Sequence, residues 1–333
     1  MFGIEIPEIF LFLKQLGFAV AGASALWGAV MSRKDFHCGL KECLVYDWLA
    51  MKLLNLFFAG SVLGTASYLF LIGILPVFAH EGIAISPTLT ETIAGLVSIG
   101  PIIMLSLFLS TVALVVRKLN EKMFSELLTP FLSIQFIIFF IITALPALTG
   151  ELDARQIFFI GHGFHSIFTL GSVLVLDFLF LSSKRAPHLV EHVVPLFPTI
   201  SKVIWLGFGF DLLSAIFILP LVEITPKLIF MQSVVGVLLI NGAILSGPIG
   251  RKIMESFAKG KTMSKKWERI ADICGTISIS SWLTITAVDA FENLSLTYLN
   301  LASMYVVLIL ILYLGHTLIS QREKKFAPPK FIH

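Results

Sequence analysis

Apolar residues run along the chain in nine long blocks, at about 8–32, 50–76, 91–116, 128–148, 157–182, 199–222, 227–249, 270–290 and 297–320. Each has about the 20 residues that a helix needs to cross a hydrocarbon core. A backbone facing lipid must satisfy its own hydrogen bonds, so the pattern predicts nine membrane-spanning helices. Between the blocks the polar stretches are short, and none is long enough for a soluble domain. The first block begins almost at once after "MFGIEIPEIF", with no basic segment and no sign of a cleavable leader.

The polar stretches alternate in charge. Arg33, Lys34 and Lys41 follow span 1, Arg117, Lys118 and Lys122 follow span 3, and Lys184 and Arg185 follow span 5. Span 7 is followed by Arg251, Lys252, Lys259, Lys261, Lys265, Lys266 and Arg269, and the C-terminal tail carries Arg322, Lys324, Lys325 and Lys330. The intervening connections hold Glu81 and Glu91, Glu151 and Asp153, Glu223, then Asp289 and Glu292. Basic loops stay on the cytoplasmic side. The alternation therefore predicts an N-terminus outside, a C-terminus inside, and residence in a bacterial inner (plasma) membrane.

Ordered matches also suggest a duplication. "YLFLIGILP" closes span 2 and "LLSAIFILP" closes span 6, with Pro76 and Pro220 separated by 144 residues. Arg117-Lys118 and Arg251-Lys252 lie 134 apart, and Thr143 and Thr286 lie 143 apart. The offset changes only across loops. The expected architecture is all-α: a polytopic membrane protein of about nine transmembrane helices, as two tandem four-helix bundles plus one C-terminal helix. Residues 1–150 form the first, degenerate module, 151–296 the second, and 297–333 the extra helix with a basic cytoplasmic tail. An even number of spans per copy makes the copies parallel in topology.

Composition agrees. Of 333 residues, 57% are hydrophobic and only 14% charged, against roughly 25% charged in soluble domains. The three cysteines are too few for a disulfide framework. The chain has no glycine-rich phosphate loop, HExxH, CxxCH or nucleophile elbow, so neither nucleotide nor nucleic acid is an expected partner. The methionines are scattered, unlike a soft-metal conduit. The expected surroundings are the lipid bilayer and other membrane or redox subunits.

Candidate chemistry lies in the second copy. "GHGFHSIFTLGSVLVLDFLFL" puts His162 and His165 three residues apart, on one helical face, with Asp177 three turns further in. Ionisable groups inside a bilayer are costly and mark interiors or sites. The histidines are candidate ligands of a metal or haem iron, or interfacial and interhelical hydrogen-bonding groups. Asp211 sits near the middle of span 6, at about the expected depth of His165. It reads either as a carboxylate orienting a ligating histidine or as a helix-to-helix polar contact. Lys227 opens span 7 and either snorkels outward or meets an anionic group in the bundle mouth. In the first copy Gln15, Trp27 and Ser67 hold the places of His165, Asp177 and Asp211. Asn241 and Trp282 are read as interhelical hydrogen-bonding groups, and His316 as a packed or interfacial histidine. "HCGLKEC", with His37, Cys38 and Cys43 in an expected loop, and "HLVEH", with His188 and His192, are weaker metal candidates, since zinc asks for four regularly spaced ligands.

The stretches "IGHGFHSIFTLGSVLVLDFLFL", "ISKVIWLGFGFDLLSAIF", "PKLIFMQSVVGVLLINGAIL" and "ISISSWLTITAV" resemble a family of bacterial integral membrane proteins. That family is in turn similar to the copper resistance protein D group and the HemJ-type protoporphyrinogen oxidases. In the HemJ type a histidine in the first helix of a four-helix module binds haem b, and a lysine opens the third helix. The resemblance covers about 157–290 and implies haem b on His165, with Lys227 as the matching lysine and a redox or electron-transfer role. The other class left open is a non-catalytic metal permease or an accessory subunit of a larger complex.

Overall fold

A computed structural model describes residues 6–35, 40–80, 97, 99–144, 166–185, 193–218, 223–258, 264–291 and 296–326. Among these there is no strand. The helices are α1 (Ile6–Asp35), α2 (Leu40–His80), α3 (Gly100–Leu119), α4 (Glu121–Ala144), α5 (Ser172–Arg185), α6 (Phe197–Ile218), α7 (Pro226–Ile244), α8 (Gly250–Ala258), α9 (Lys265–Ala290) and α10 (Tyr298–Phe326). A π-helical turn, Ser166–Gly171, leads into α5, a second, Leu245–Ile249, joins α7 to α8, and a 3-10 turn, Val194–Leu196, leads into α6. Eight described helical stretches are long and apolar enough to cross a membrane, and Phe168–Phe180 is a shorter apolar helix in the fifth position. The chain is an all-α, multi-pass membrane protein.

Two polar stretches expected as loops are largely helical. α3 and α4 are separated by Asn120 alone. Its N–H donates to Val116 O at 2.8 Å, while its Oδ1 accepts from the Met123 N–H at 3.0 Å. Asparagine favours this N-cap position, and Glu121 in the first turn suits the positive end of the helix. Lys122 thus lies in the opening turn of α4, and Arg117 and Lys118 in the last turn of α3. Likewise, "LKEC" of the expected metal loop belongs to the backbone of α2, while His37 and Cys38 lie outside the described residues.

The described residues form two compact units, within Ile4–Glu223 and within Ile224–His333. This division at 223/224 partitions the chain by packing; the boundary read at 150/151 partitions it by repeat. In the first unit α1 is the hub. Ala19, Ala21, Ala23 and Ala25 are fully buried, and each two-residue step turns a helix by about 200°, so opposite faces of α1 are covered. One face meets α2: a Cβ on Gly17 would overlap the backbone of Gly64, and one on Gly60 would come within 2.8 Å of Ala21 N. The other meets the π turn, where a Cβ on Gly171 would overlap Ala19 O. Lipid offers no hydrophobic drive between helices, so small residues that bring backbones together supply the packing. On α4, Thr129 donates to Ser32 Oγ at 2.8 Å, and Phe139 meets Phe18 and Phe57. α3 joins through buried Gln135 of α4, whose Oε1 accepts from Ser106 Oγ at 2.7 Å and whose Nε2 donates to Ser106 O at 3.2 Å.

In the second unit α9 packs against α7 and α10. Its buried positions include Thr276, Ser278, Ser280, Ser281 and Thr284. Asn241 on α7 donates from Nδ2 to Cys274 O at 2.8 Å, and Ser281 and Tyr305 share a hydroxyl hydrogen bond of 2.7 Å. Phe230 packs edge-on against Tyr298 and Tyr305.

Candidate functional site

His162 and His165 lie outside the described residues, as do His188 and His192. The structure does describe what surrounds their end of span 5. Ser166–Gly171 is π-helical, a geometry that is rare and concentrates at functional sites. The segment is held from three sides. Gly171 touches α1, and Phe168 stacks edge-on against Phe136 and Phe140 of α4. On α6, a Cβ on Gly207 would come within 2.7 Å of Thr169 Cγ2. Gly207 therefore admits the α6 backbone directly onto the π turn.

Asp211 lies one turn beyond Gly207 on α6 and is half-buried. Its backbone carbonyl accepts from Ser214 Oγ at 2.8 Å. Asp177, on α5, has an Oδ2 that is shut off from solvent with no hydrogen-bond partner among the described residues. The positions matched to the second copy behave differently from one another. Trp27 Nε1 donates to Ser172 Oγ at 3.0 Å, which ties α1 to the first turn of α5. Ser67 donates back to Leu63 O at 2.8 Å. Gln15 keeps a buried Oε1 without a partner among the described residues.

Lys227 stands at the start of α7, where a cation opposes the positive end of the helix. Its Nζ donates to Phe291 O at 2.9 Å, the C-cap carbonyl of α9. The negative end of α9 thus accepts the charge, and the contact ties the start of α7 to the end of α9. Thr225 caps α7 by accepting from the Leu228 N–H at 3.1 Å. Trp282 is buried.

Two polar groupings were not drawn from the sequence. The Gln135–Ser106–Ser110 cluster was signalled only by a lone glutamine in "SIQFII". His316 on α10 comes within 3.5 Å of Asp272 Oδ1 on α9, a pairing that no spacing reveals because the residues lie on different helices. Among the described residues no three His, Cys, Asp or Glu side chains converge as a metal group. The Gly207–Thr169 contact joins α6 to the π turn that follows His165 in the chain. Lys227 belongs to the other compact unit.

No protein-family model, curated protein or solved structure matches the chain.

Proposed function

We propose that this multi-pass membrane protein binds haem b at the outer part of span 5, with His165 as an axial ligand and a redox or electron-transfer role. The register at Gly207 carries the reading. Asp211 lies one turn past Gly207 on α6, Gly207 meets Thr169 of the π turn, and His165 immediately precedes that turn in the sequence. A carboxylate there suits the second ring nitrogen of a ligating histidine, fixing its tautomer and orientation. The π turn supports the same reading, since it is held rigidly by α1, α4 and α6 directly after the histidines. When bound, haem supplies one-electron chemistry. In this reading His165 would hold the group, Asp211 would be the carboxylate available to its imidazole, and the apolar side chains of α1 and α4 around the π turn would limit water.

The orientation in this proposal has the N-terminus outside and the C-terminus in the cytoplasm of a bacterial inner membrane, supported by the charge alternation. Reporter fusions at Lys261 and Asp289 are expected to report opposite sides; the same side for both contradicts it. The duplication belongs to the reading too, supported by neighbour packing of α1 with α2 and of α3 with α4, and likewise of α5 with α6 and of α7 with α9.

The deciding experiment compares the absorption spectra of the purified wild type and His165→Ala, both expressed with haem precursor. A Soret band in the wild type that shifts or vanishes in the variant is the expected result. A band unchanged by the substitution overturns the ligand assignment. If both are colourless and the variant merely melts earlier, the histidine holds helices together, and the accessory-subunit reading takes over.

A further inference from the structure

Among the eight long spans described, α10 is the one least covered by the rest of the protein. Only 11% of its membrane window is buried, against 22% or more in each of the others. Lipid offers no hydrophobic drive to hold such a helix, so its polar contacts carry weight. Tyr298 donates to Ser233 Oγ of α7 at 3.3 Å, Tyr305 shares its 2.7 Å hydroxyl bond with Ser281 of α9, and His316 Nε2 lies 3.5 Å from Asp272 Oδ1 of α9. The three positions are seven and eleven residues apart, about two and three whole turns, so they lie along one stripe of the helix.

The third contact differs in kind. Hydroxyls of tyrosine and serine keep their protons near neutral pH, whereas an imidazole exchanges its proton at about pH 6.5. Both partners lie within spans, Asp272 in Lys265–Ala290 and His316 in Tyr298–Leu318, where ionisable groups are costly and mark sites. Their side chains keep only 20% and 25% of their surface, so both are mostly covered. Nε2 of His316 is itself shut off from solvent and makes no hydrogen bond among the described residues. A lone pair facing a carboxylate oxygen is repelled, and a proton there turns the same geometry into a charge-assisted bond. The elements packed around the pair add few titratable groups. α7 and the π turn after it carry Lys227 alone, which Phe291 O holds at the far end. Near Asp272 on α9 stand Glu268, Arg269 and the buried thiol of Cys274, and near His316 on α10 stands Tyr313.

We propose that Asp272 and His316 form a proton-binding site that clasps α10 to α9. With a proton on the imidazole the pair is a salt bridge, and the C-terminal part of the span is held. When that proton leaves for water the cation is lost, and this part of α10 loosens while Tyr298 and Tyr305 keep the other part in place. The bridge needs an ionised carboxylate and a protonated imidazole. It is therefore present on the acid side of the imidazole titration, above the carboxylate range, and is lost as pH rises. The site lies in the second unit and does not rest on the haem reading.

The test is amide hydrogen exchange of the full chain in detergent, read by mass spectrometry between about pH 5.5 and about pH 8, a range that brackets the imidazole titration. The exchange rate of 308–318 is divided by that of 298–306, so that the intrinsic effect of pH cancels. In the wild type this ratio is expected to rise about tenfold across the range, the difference between a charge-assisted bond and none. In Asp272→Asn and in His316→Gln the ratio should not change with pH. His316→Lys, charged throughout, should hold the ratio at its low value, and it serves if the glutamine variant fails to fold. Glu268→Gln should behave like the wild type. A wild-type ratio independent of pH overturns the proposal. So does a pH dependence that survives in folded Asp272→Asn or His316→Gln, because Glu268, Cys274 or Tyr313 would then be its source.

Discussion

α1 and α9 are each half buried over their membrane windows, 50% in both, yet they bury opposite chemistry. α1 is enclosed by alanine and glycine, with Ala19, Ala21, Ala23 and Ala25 fully covered and Gly17 against Gly64. α9 is enclosed through hydroxyls, with Ser280 and Ser281 fully covered and Thr276, Ser278 and Thr284 buried. In lipid, two routes hold helices together. Backbones come close enough for dispersion to act, or polar groups bond across the interface. Around α1 the first route is the more prominent, beside bonds such as Thr129 to Ser32 and Trp27 to Ser172. In the second unit Asn241 to Cys274 O and Ser281 to Tyr305 bond across helices, while Thr276 donates back to Asp272 O of its own helix. Close packing is all-or-none, because a Cβ either fits or does not. Bonded packing is graded, because each interhelical bond contributes little on its own.

The contrast can be broken most sharply at the glycines. Gly17→Leu drives a side chain into the Gly64 backbone and should destabilise the first unit by about 3 kcal/mol or more. Gly236→Leu on α7 meets nothing within 4 Å and should leave the melting temperature in detergent unchanged. Equal effects of the two would refute close packing as the organising device of α1. Next in size is Asn241→Ala, which removes the bond to Cys274 O and should cost about 1 kcal/mol, read by unfolding in mixed micelles. The smallest effect belongs to the Ser281–Tyr305 pair. A double-mutant cycle with Ser281→Ala and Tyr305→Phe should give a coupling of about 0.6 kcal/mol, and a coupling of zero would remove that bond from the account.

Much of the fold was legible because lipid leaves the chain few choices. All nine apolar blocks meet described helices, since periodicity and length alone decide a span. Short polar interruptions were harder to read. The stretch from Arg117 to Glu126 looks like a loop by charge, but Asn120 caps the next helix at once, and such a turn needs a single residue. Packing partners were less legible still. "AVAGASALWGAV" announces a helix built for close contact, but not that one face meets α2 and the other the turn at Gly171. The Asp272–His316 and Gln135–Ser106 contacts join residues whose separation in the chain carries no period. At the candidate site the sequence supplied the residue types in span 5 and Asp211. The π turn at Ser166–Gly171 and the approach of Gly207 came from the structure, because neither has a signature in residue order. Lys227 shows the converse. Its position at a helix start was plain, whereas its bond to Phe291 O depends on where α9 ends.

The proposed cofactor is tested most directly by chemical quantitation. The full chain, expressed with haem precursor and purified, is converted to its pyridine haemochrome, and haem is compared with protein. The proposal predicts haem b in a one-to-one ratio with the chain, falling severalfold or more in His165→Ala. A stably folded wild-type protein with no haem, or with haem retained in full by His165→Ala, would contradict it.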